Sequence, residues 1–229
     1  MSKSLGNFFT IRDLVLRGHK PSSIRWLLTQ VPYRNQLNYT FDGLKSAASS
    51  VEKLRNFRFR LTSTQFPAGA TPQMKQLADE TTAKMKAALE DDLNTAEAQA
   101  AMFDMLRKAN TALDAAEVLQ DDVKPMLCAL EKFDQIFGVL KDDDQPKMKA
   151  ILDWAKAEGG EKAKEISPEL MEIAGSAPLA DEQVNQKLAE MEAARKARNF
   201  KASDALRAEL TAAGIMVENT KEGVRWRRK

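Results

Sequence analysis

The sequence contains one cysteine, Cys128, and one histidine, His19, among its 229 residues. A single thiol cannot form a disulfide within the chain, and these two residues cannot build a Cys/His metal cluster. No apolar run approaches the roughly 18–20 residues that a membrane-spanning helix needs. The first residues also lack the apolar core of a signal peptide. We therefore expect a soluble protein of the reducing cytoplasm, with no metal site in this chain.

Common catalytic motifs are also missing from the sequence. It has no P-loop, no dinucleotide fingerprint and no arrangement typical of a Ser/His/Asp triad. Cys128 lies between Leu127 and Ala129, which favours a small buried apolar residue over a nucleophile. The acidic runs at 90–92 and 142–144 are typical of solvated helix ends. This chain alone does not look like a complete enzyme.

Hydrophobic residues make up 43% and charged residues 30% of the chain, as in helix-rich globular proteins. The net charge is only +2, but its distribution is uneven. From Arg195 to Lys229 there are ten Lys and Arg residues against four Asp and Glu residues. This basic C-terminal stretch indicates nucleic acid or another polyanion as a partner.

The middle of the chain has the spacing of long amphipathic helices. Apolar residues recur every three or four positions between 41 and 140, which predicts antiparallel helices in a bundle. Thr40 is predicted to cap the first long helix, and the hydroxyl of Thr71 is predicted to cap one that begins at Pro72. Asn94 and Glu97 predict a variant capping box at the next helix.

Glycine and proline interrupt the pattern between 145 and 180, which predicts a linker with short helices. From 181 onward the sequence predicts two helices, the second ending at Gly214 in a left-handed cap, and then a β-hairpin. The predicted fold is therefore mainly α, a helical bundle followed by a small α+β module. The expected divisions are 1–38 (an N-terminal loop and connecting region), 39–144 (the bundle), 145–180 (the linker) and 181–229 (the module).

Two stretches carry side chains suited to phosphate chemistry. Ser2, Lys3 and Ser4 provide an ammonium group and two hydroxyls, which suit a triphosphate and its pyrophosphate leaving group. The alternative for these three is a polar chain end. Near the other end, Arg195, Asp204 and the run Arg225-Trp226-Arg227 offer phosphate donors, a base-edge acceptor and a stacking face. The alternative there is a Trp226 that belongs to the core beside solvated cations.

Several segments, in order along the chain, resemble bacterial cysteinyl-tRNA synthetases of class I. Residues 1–13, Met-Ser-Lys-Ser-Leu-Gly-Asn-Phe-Phe-Thr-Ile-Arg-Asp, resemble the end of the KMSKS loop and the segment after it. Residues 24–28 and 33–40 resemble the stem-contact region, and 89–96 resemble the acidic block DD-[FL]-NT-P, with Ala96 in place of proline. Residues 204–207 match the DALR motif, and 214–220 with 223–227 resemble the family's C-terminal ending.

The resemblance implies roles for particular residues. Ser2, Lys3 and Ser4 would contact ATP, and Lys3 would stabilise the transition state of amino-acid activation. Arg195, Asp204 and Asn219 would read the anticodon, with Arg225, Trp226 and Arg227 shaping that surface. The family commonly has Asp where Asn219 stands; the amide of Asn219 adds a donor and loses the charge.

The resemblance also implies a DALR-type bundle, tRNA(Cys) as partner, ATP and cysteine as substrates, and a monomer. The family's HIGH motif, nucleotide-binding fold and zinc ligands precede this segment, so we expect no cysteine activation by these 229 residues alone. Two alternatives remain open. One is a free-standing RNA-binding paralogue; the other is a cysteine ligase acting on an amino sugar, as in mycothiol synthesis.

Neutralising three C-terminal arginines tests the basic face predicted from the sequence. In the variant Arg225→Gln/Arg227→Gln/Arg228→Gln, tRNA should bind more weakly, because fewer phosphate contacts mean that fewer counterions are released on binding. The slope of log affinity against log salt concentration should become shallower by up to about 2–3. The measurement is a salt titration of tRNA binding; an unchanged slope would remove these residues from the binding face.

Overall fold

The computed structural model describes residues 9–175, 181–213, 215–220 and 223–228. Its helices are α1 (Ile11–Leu16), α2 (Pro21–Leu28), α3 (Phe41–Ser63), α4 (Pro72–Glu90), α5 (Thr95–Asp114), α6 (Val123–Phe137), α7 (Asp144–Glu158), α8 (Gly160–Lys164), α9 (Pro168–Gly175), α10 (Asp181–Lys196) and α11 (Phe200–Ala212). A short 3-10 turn, Gln120–Asp122, precedes α6, and the strands are β1 (Ile215–Thr220) and β2 (Gly223–Arg228).

The prediction of a mainly helical chain is confirmed. It divides into two compact units, Lys20–Lys141 and Met1–His19 together with Asp142–Lys229. We call Lys20–Lys141 the central unit. The finer four-part division expected from the sequence stays a prediction, as does the left-handed cap at Gly214, which lies outside the described residues.

In the central unit α2 packs on α3, and the long helices α3 to α6 pack on one another. Its largest fully buried side chains include Trp26, Phe57 and Phe133. Positions predicted by helical spacing, such as Leu54 and Met102, are buried. Phe41, at the start of α3, remains exposed, because a residue in the first turn of a helix can lie beyond the edge of the packed face.

The predicted helix starts show which side chains act as caps. The Thr40 hydroxyl accepts from the N–H of Gly43 at 3.0 Å, and Asn94 Oδ1 accepts from the N–H of Glu97 at 3.2 Å, so both caps are confirmed. Glu97 accepts from the Asn94 side-chain amide at 3.1 Å, which gives a side-chain variant of the capping box.

The hydroxyl of Thr71 does not cap α4, so that prediction is wrong. The hydroxyl instead donates to Asp122 Oδ2 at 3.0 Å, and the Thr71 N–H donates to Asp122 Oδ1 at 2.7 Å. The N–H of Leu119 also donates to Asp122 Oδ2, at 3.0 Å. Asp122 is buried, and a buried carboxylate needs donors on both oxygens, so a contact distant in sequence takes the hydroxyl.

Cys128 is exposed, which corrects the prediction of a buried residue. The core face of α6 carries Met126, Ala129, Leu130 and Phe133. Cys128 follows Met126 by two positions, so it points away from that face. It lies on an open groove of about 590 Å³ formed by α4 and α6.

Hydrogen bonds hold the last residues of the central unit in place. Gly138 ends α6 in the left-handed conformation, with φ +60°. The N–H groups of Val139 and Leu140 both donate to Asp134 Oδ1 at 2.7 Å. Arg55 on α3 donates to the carbonyls of Val139 and Lys141, each at 2.9 Å. Residues 139–141 are therefore held against α3.

In the other unit, α1 packs on α7, and α7 in turn packs on α8 and α9. Near the C-terminus, α10 packs on α11, β1 packs on α11, and β2 pairs with β1. We call α10, α11 and the two strands the C-terminal module. Val184, Leu188, Met191, Leu210, Ile215 and Val217 form its buried cluster. No helix in the described ranges is long and apolar enough to cross a membrane.

The Asp122 cluster provides a stability test. Asp122→Ala should lower the free energy of unfolding of the central unit by about 2–3 kcal/mol, because it leaves the partly buried donors of Thr71 and Leu119 unpaired. Asp121→Ala, at an exposed neighbour, should change it by less than about 0.5 kcal/mol. Hydrogen exchange of the slowest amides between 20 and 141 measures both; equal effects would contradict the assignment.

Candidate nucleic-acid interface

A tight turn joins α10 to α11 in the C-terminal module. The N–H of Asn199 donates to the carbonyl of Ala194 at 2.9 Å, and the N–H of Arg198 donates to the carbonyl of Arg195 at 2.9 Å. Arg198 is in the left-handed conformation at φ +58°, where glycine is usual. The Asn199 side chain then accepts from the N–H of Ala202 at 3.2 Å and caps α11. Local hydrogen bonds therefore define the geometry of the turn.

This turn concentrates positive charge. Arg195, Lys196, Arg198 and Lys201 lie within seven residues that contain no acidic side chain, and all four are exposed. We call these four residues the basic turn. Within the described ranges none of the four forms an ion pair, although lysines elsewhere, such as Lys187 with Glu209 at 2.6 Å, do. Four cations without acidic partners favour an anionic ligand.

Phe200 lies inside the basic turn and is 62% exposed. Single exposed apolar side chains are common, and Phe41 at the first position of α3 is also exposed, so the cations around Phe200, rather than its exposure alone, distinguish it. An exposed ring bordered by cations is the arrangement that stacks an unpaired base while the cations bind phosphates. The sequence motifs did not single out Phe200, although its position between Arg198 and Lys201 could have indicated this role.

Residues 204–207, compared above with the DALR motif, lie in the middle of α11. Asp204 is exposed, one turn after Phe200. Arg207 Nη2 donates to the carbonyl of Val217 in β1 at 3.2 Å, so it ties α11 to the first strand. This positioning contact could not be predicted from the sequence, because it joins residues ten positions apart whose pairing depends on the fold.

The strands pair antiparallel in one register. Val217 lies opposite Trp226, Glu218 opposite Arg225, Asn219 opposite Val224, and Met216 opposite Arg227. The predicted anticodon residue Asn219 therefore lies one register step from Arg225 along the paired strands. Pairing of this kind fixes the backbone of these residues within a few ångströms of each other.

Trp226 has a structural role in this arrangement. Its ring is partly buried against the apolar cluster of the C-terminal module. Its Nε1 donates to Asn185 Oδ1 on α10 at 2.8 Å. The same ring that could stack on a base thus joins β2 to α10. Asn185 had no signal in the sequence that would mark it as this partner.

A second polar cluster lies in the central unit. Tyr33 Oη donates to Asp92 Oδ1 at 2.9 Å, and Arg34 Nε lies 3.0 Å from Asp92 Oδ2. Asp92 and Leu93 both have φ +54°, a conformation that costs a non-glycine residue about 1–2 kcal/mol. The structure therefore brings together two of the segments that carry the family resemblance, 33–40 and 89–96. Residues 90–92 are exposed at the end of α4, as expected of a solvated helix end, and Asp92 also forms an ion pair there.

The predicted ATP contacts Ser2, Lys3 and Ser4 lie outside the described residues. The described ranges contain no group of three or more His, Cys, Asp or Glu side chains that could hold a metal ion.

Comparisons with known proteins identify three regions of the chain. A model of the class I (C) tRNA synthetase catalytic domain matches residues 1–49, a DALR domain model matches 84–141, and a model of the cysteinyl-tRNA ligase anticodon-binding domain matches 177–227. The resemblance predicted from the sequence motifs is confirmed. The basic turn, Phe200, Asp204 and both strands as far as Arg227 all lie within the third region.

Curated relatives match along the whole chain. It is 59% identical over 229 residues to the cysteine–tRNA ligase of Koribacter versatilis and 40% identical to that of Solibacter usitatus. It is 32% identical to that of Protochlamydia amoebophila. Each alignment covers 100% of this chain but only 46%, 43% and 41% of the respective relative. The chain therefore spans less than half the length of these relatives.

The contact between Trp226 and Asn185 can be tested separately from RNA binding. Trp226→Phe keeps an aromatic ring but removes the donor, and should destabilise the C-terminal module by about 1 kcal/mol. Asn185→Ala should have a similar effect, and combining the two should add little to either. Exchange rates of the β1 amides provide the measurement; additive effects would show that the two side chains do not interact.

Proposed function

We propose that this chain is the tRNA-binding C-terminal portion of a cysteine–tRNA ligase, a longer protein that activates cysteine with ATP and attaches it to tRNA(Cys). The matches to three family models in chain order support this proposal. The observation that carries it is the exposed Phe200 within the basic turn, inside the residues matched by the anticodon-binding model. The chain's contribution is to grip the inner bend and the anticodon of the tRNA.

The basic turn supplies affinity for the RNA backbone. Its two arginines present planar donors to phosphate oxygens, and its two lysines act as point charges. Phe200 offers its ring to an unpaired anticodon base, a contact that is typically worth about 1–3 kcal/mol. Phosphate contacts carry no sequence information, so discrimination between anticodons needs further groups.

Asp204 and Asn219 are the groups proposed to read base edges, together with Arg195. A carboxylate can accept from a cytosine amino group, and an arginine can donate to the O6 and N7 atoms of guanine. Asp204 is exposed on α11, one turn beyond Phe200, which suits contact with the base next to a stacked one. Asn219 both donates and accepts, so its contact is less restrictive than that of an aspartate.

We propose that Trp226 supports this surface structurally. Its ring packs on the apolar cluster and its Nε1 binds Asn185, so both its face and its polar edge already have contacts. Arg225 and Arg227 flank it in β2, and their backbone is fixed by pairing with Glu218 and Met216. Phe200 is therefore the better candidate for the stacking platform.

The cluster of Tyr33, Arg34 and Asp92 is proposed to contact the inner bend of the tRNA. The Arg34 and Asp92 side chains are well exposed, and their ion pair holds the guanidinium in one orientation. The exposed ring of Tyr33 suits packing against a ribose, whereas Asp92 already binds Nε and Nη2 of Arg34 and offsets its charge, so Arg34 adds little to phosphate binding. The positive φ angles at Asp92 and Leu93 support a functional role, since backbone strain concentrates at such sites.

The catalytic side of the proposal belongs to the longer protein. Ser2, Lys3 and Ser4 would contact ATP, with Lys3 stabilising the developing pyrophosphate, because they match the KMSKS loop within the region of the catalytic-domain model. Cysteine and zinc would bind to parts of the relatives that this chain does not cover. We therefore propose that the 229 residues alone bind tRNA as a monomer without activating cysteine.

Two alternatives lead to different partners. An amino-sugar ligase of the mycothiol type would not need an anticodon-binding region, and the match at 177–227 favours tRNA over that substrate. A free-standing RNA-binding paralogue would bind RNA without selecting the cysteine anticodon. Binding of tRNA(Cys) compared with a transcript carrying an exchanged anticodon separates these possibilities: equal affinity would support the paralogue.

Phe200 gives the sharpest test of the proposed interface. Phe200→Ala should weaken tRNA(Cys) binding by about 5- to 150-fold through loss of stacking, and Phe200→Trp should retain it. The salt dependence of binding should not change, because no charge is removed. The measurement is fluorescence anisotropy with labelled tRNA.

Ile136→Ala is the matched control, since Ile136 is an exposed apolar residue of the central unit, far in sequence from the basic turn. It should leave tRNA affinity unchanged. If Phe200→Ala binds as tightly as the unmodified chain, Phe200 is not the stacking platform.

A further inference from the structure

Helix α1 is too short to hold its own structure. It contains six residues, Ile11–Leu16, whereas isolated helices shorter than about 12–15 residues are marginal in water. Yet Leu14, Val15 and Leu16 are all buried. Its capping box, in which Thr10 and Asp13 exchange hydrogen bonds of 2.8 and 3.1 Å, fixes only its first turn. Packing against other elements must therefore hold α1 in place.

Two contacts bind the first half of α1. The guanidinium of Arg12 lies over the ring of Trp154 in α7, 3.9 Å from the ring centroid. Asp13 Oδ1 lies 3.7 Å from Lys162 Nζ in α8. Burial raises the pKa of Asp13, but hydrogen bonds from the Thr10 N–H and hydroxyl, with the charge of Lys162, outweigh burial and hold it below its ordinary value. The carboxylate therefore stays charged and paired at neutral pH.

The end of α1 is held by α9. The N–H of Ser167, just before α9, donates to the carbonyl of Leu16 at 2.9 Å, and Ser167 Oγ accepts from the N–H of Leu170 at 3.1 Å. Gly18 has φ +86°, and a Cβ there would lie 2.6 Å from the Cβ of Glu169. Only glycine allows the chain after α1 to pass so close to α9.

We propose that α7, α8 and α9 form a strap that holds α1 in its position. The contacts come from all three helices: Trp154 from α7, Lys162 from α8, and Ser167 with Glu169 at α9. The strap lies between the DALR match, which ends at 141, and the anticodon-binding match, which begins at 177. A region that its glycines and prolines predict to be a linker thus holds α1 in place.

The strap has a consequence for the start of the chain. It fixes Thr10 and α1, which directly follow the segment that resembles the KMSKS loop in the sequence. The strap consists of contacts within the chain, so it does not depend on tRNA binding and goes beyond the proposed function. Failure of one leaves the other intact, because hydrogen exchange of the free chain involves no RNA.

Hydrogen exchange in the 229-residue chain tests the strap through a double-mutant cycle. Arg12→Ala and Trp154→Ala should each speed the exchange of the amides of 14–19 by about fivefold, because each removes the same cation–π contact. The double variant should exchange no faster than either single variant. Trp154→Phe should restore most of the protection, since it keeps an aromatic face.

Lys149→Ala is the matched control. Lys149 lies on α7 but pairs with Asp153 in the same helix, so its loss should leave the amides of 14–19 unchanged. Gly18→Ala should speed exchange in α1 and α9 together, while the amides between 20 and 141 stay protected. Unchanged α1 exchange in Arg12→Ala, or additive effects in the double variant, would overturn the strap.

Discussion

The burial of Trp26 is the contact on which the central unit depends most. Trp26 is 2% exposed and packs within 5.7–6.1 Å of the rings of Phe103, Phe133 and Phe137. These partners lie on α5 and α6, so an eight-residue helix, α2, is held by the two last helices of the bundle. Within the described residues its indole N–H has no hydrogen-bond partner. The apolar contacts of the ring therefore have to exceed the cost of that unpaired group.

A polar contact supports the same junction. Gln99 on α5 is buried and donates to the carbonyl and hydroxyl of Thr29, at 3.1 and 2.8 Å, just beyond the end of α2. Trp26 and Thr29 lie in the region matched by the catalytic-domain model, whereas Gln99 lies in the DALR match. Two regions that family models treat separately thus share one core. Tyr33 and Arg34, placed by that core, can then reach Asp92.

The structure could be predicted from the sequence where residues close together in the chain determine it. Helical spacing located the buried positions of α3 and α5, and the caps at Thr40 and Asn94 act within three residues. It could not be predicted where a side chain's contacts depend on a partner far away in the sequence. Asp122 takes the Thr71 hydroxyl across 51 positions, and the orientation of α6 leaves Cys128 in solvent. The strap shows the same limit, because breakers in a sequence indicate where helices end but not what they pack against.

At the candidate interface, the composition of the sequence predicted where positive charge is concentrated. It did not predict which aromatic residue is exposed. Phe200 and Trp226 are both bordered by cations in the sequence, and only packing separates them: one is exposed, the other rests on the cluster and binds Asn185. With a net charge of +2, the whole chain attracts RNA weakly over distances beyond the roughly 8 Å Debye length of physiological salt. Recognition must then depend on short-range contacts. A local group of four cations around one exposed ring meets that requirement, since the cations act within the screening distance and stacking is little affected by salt.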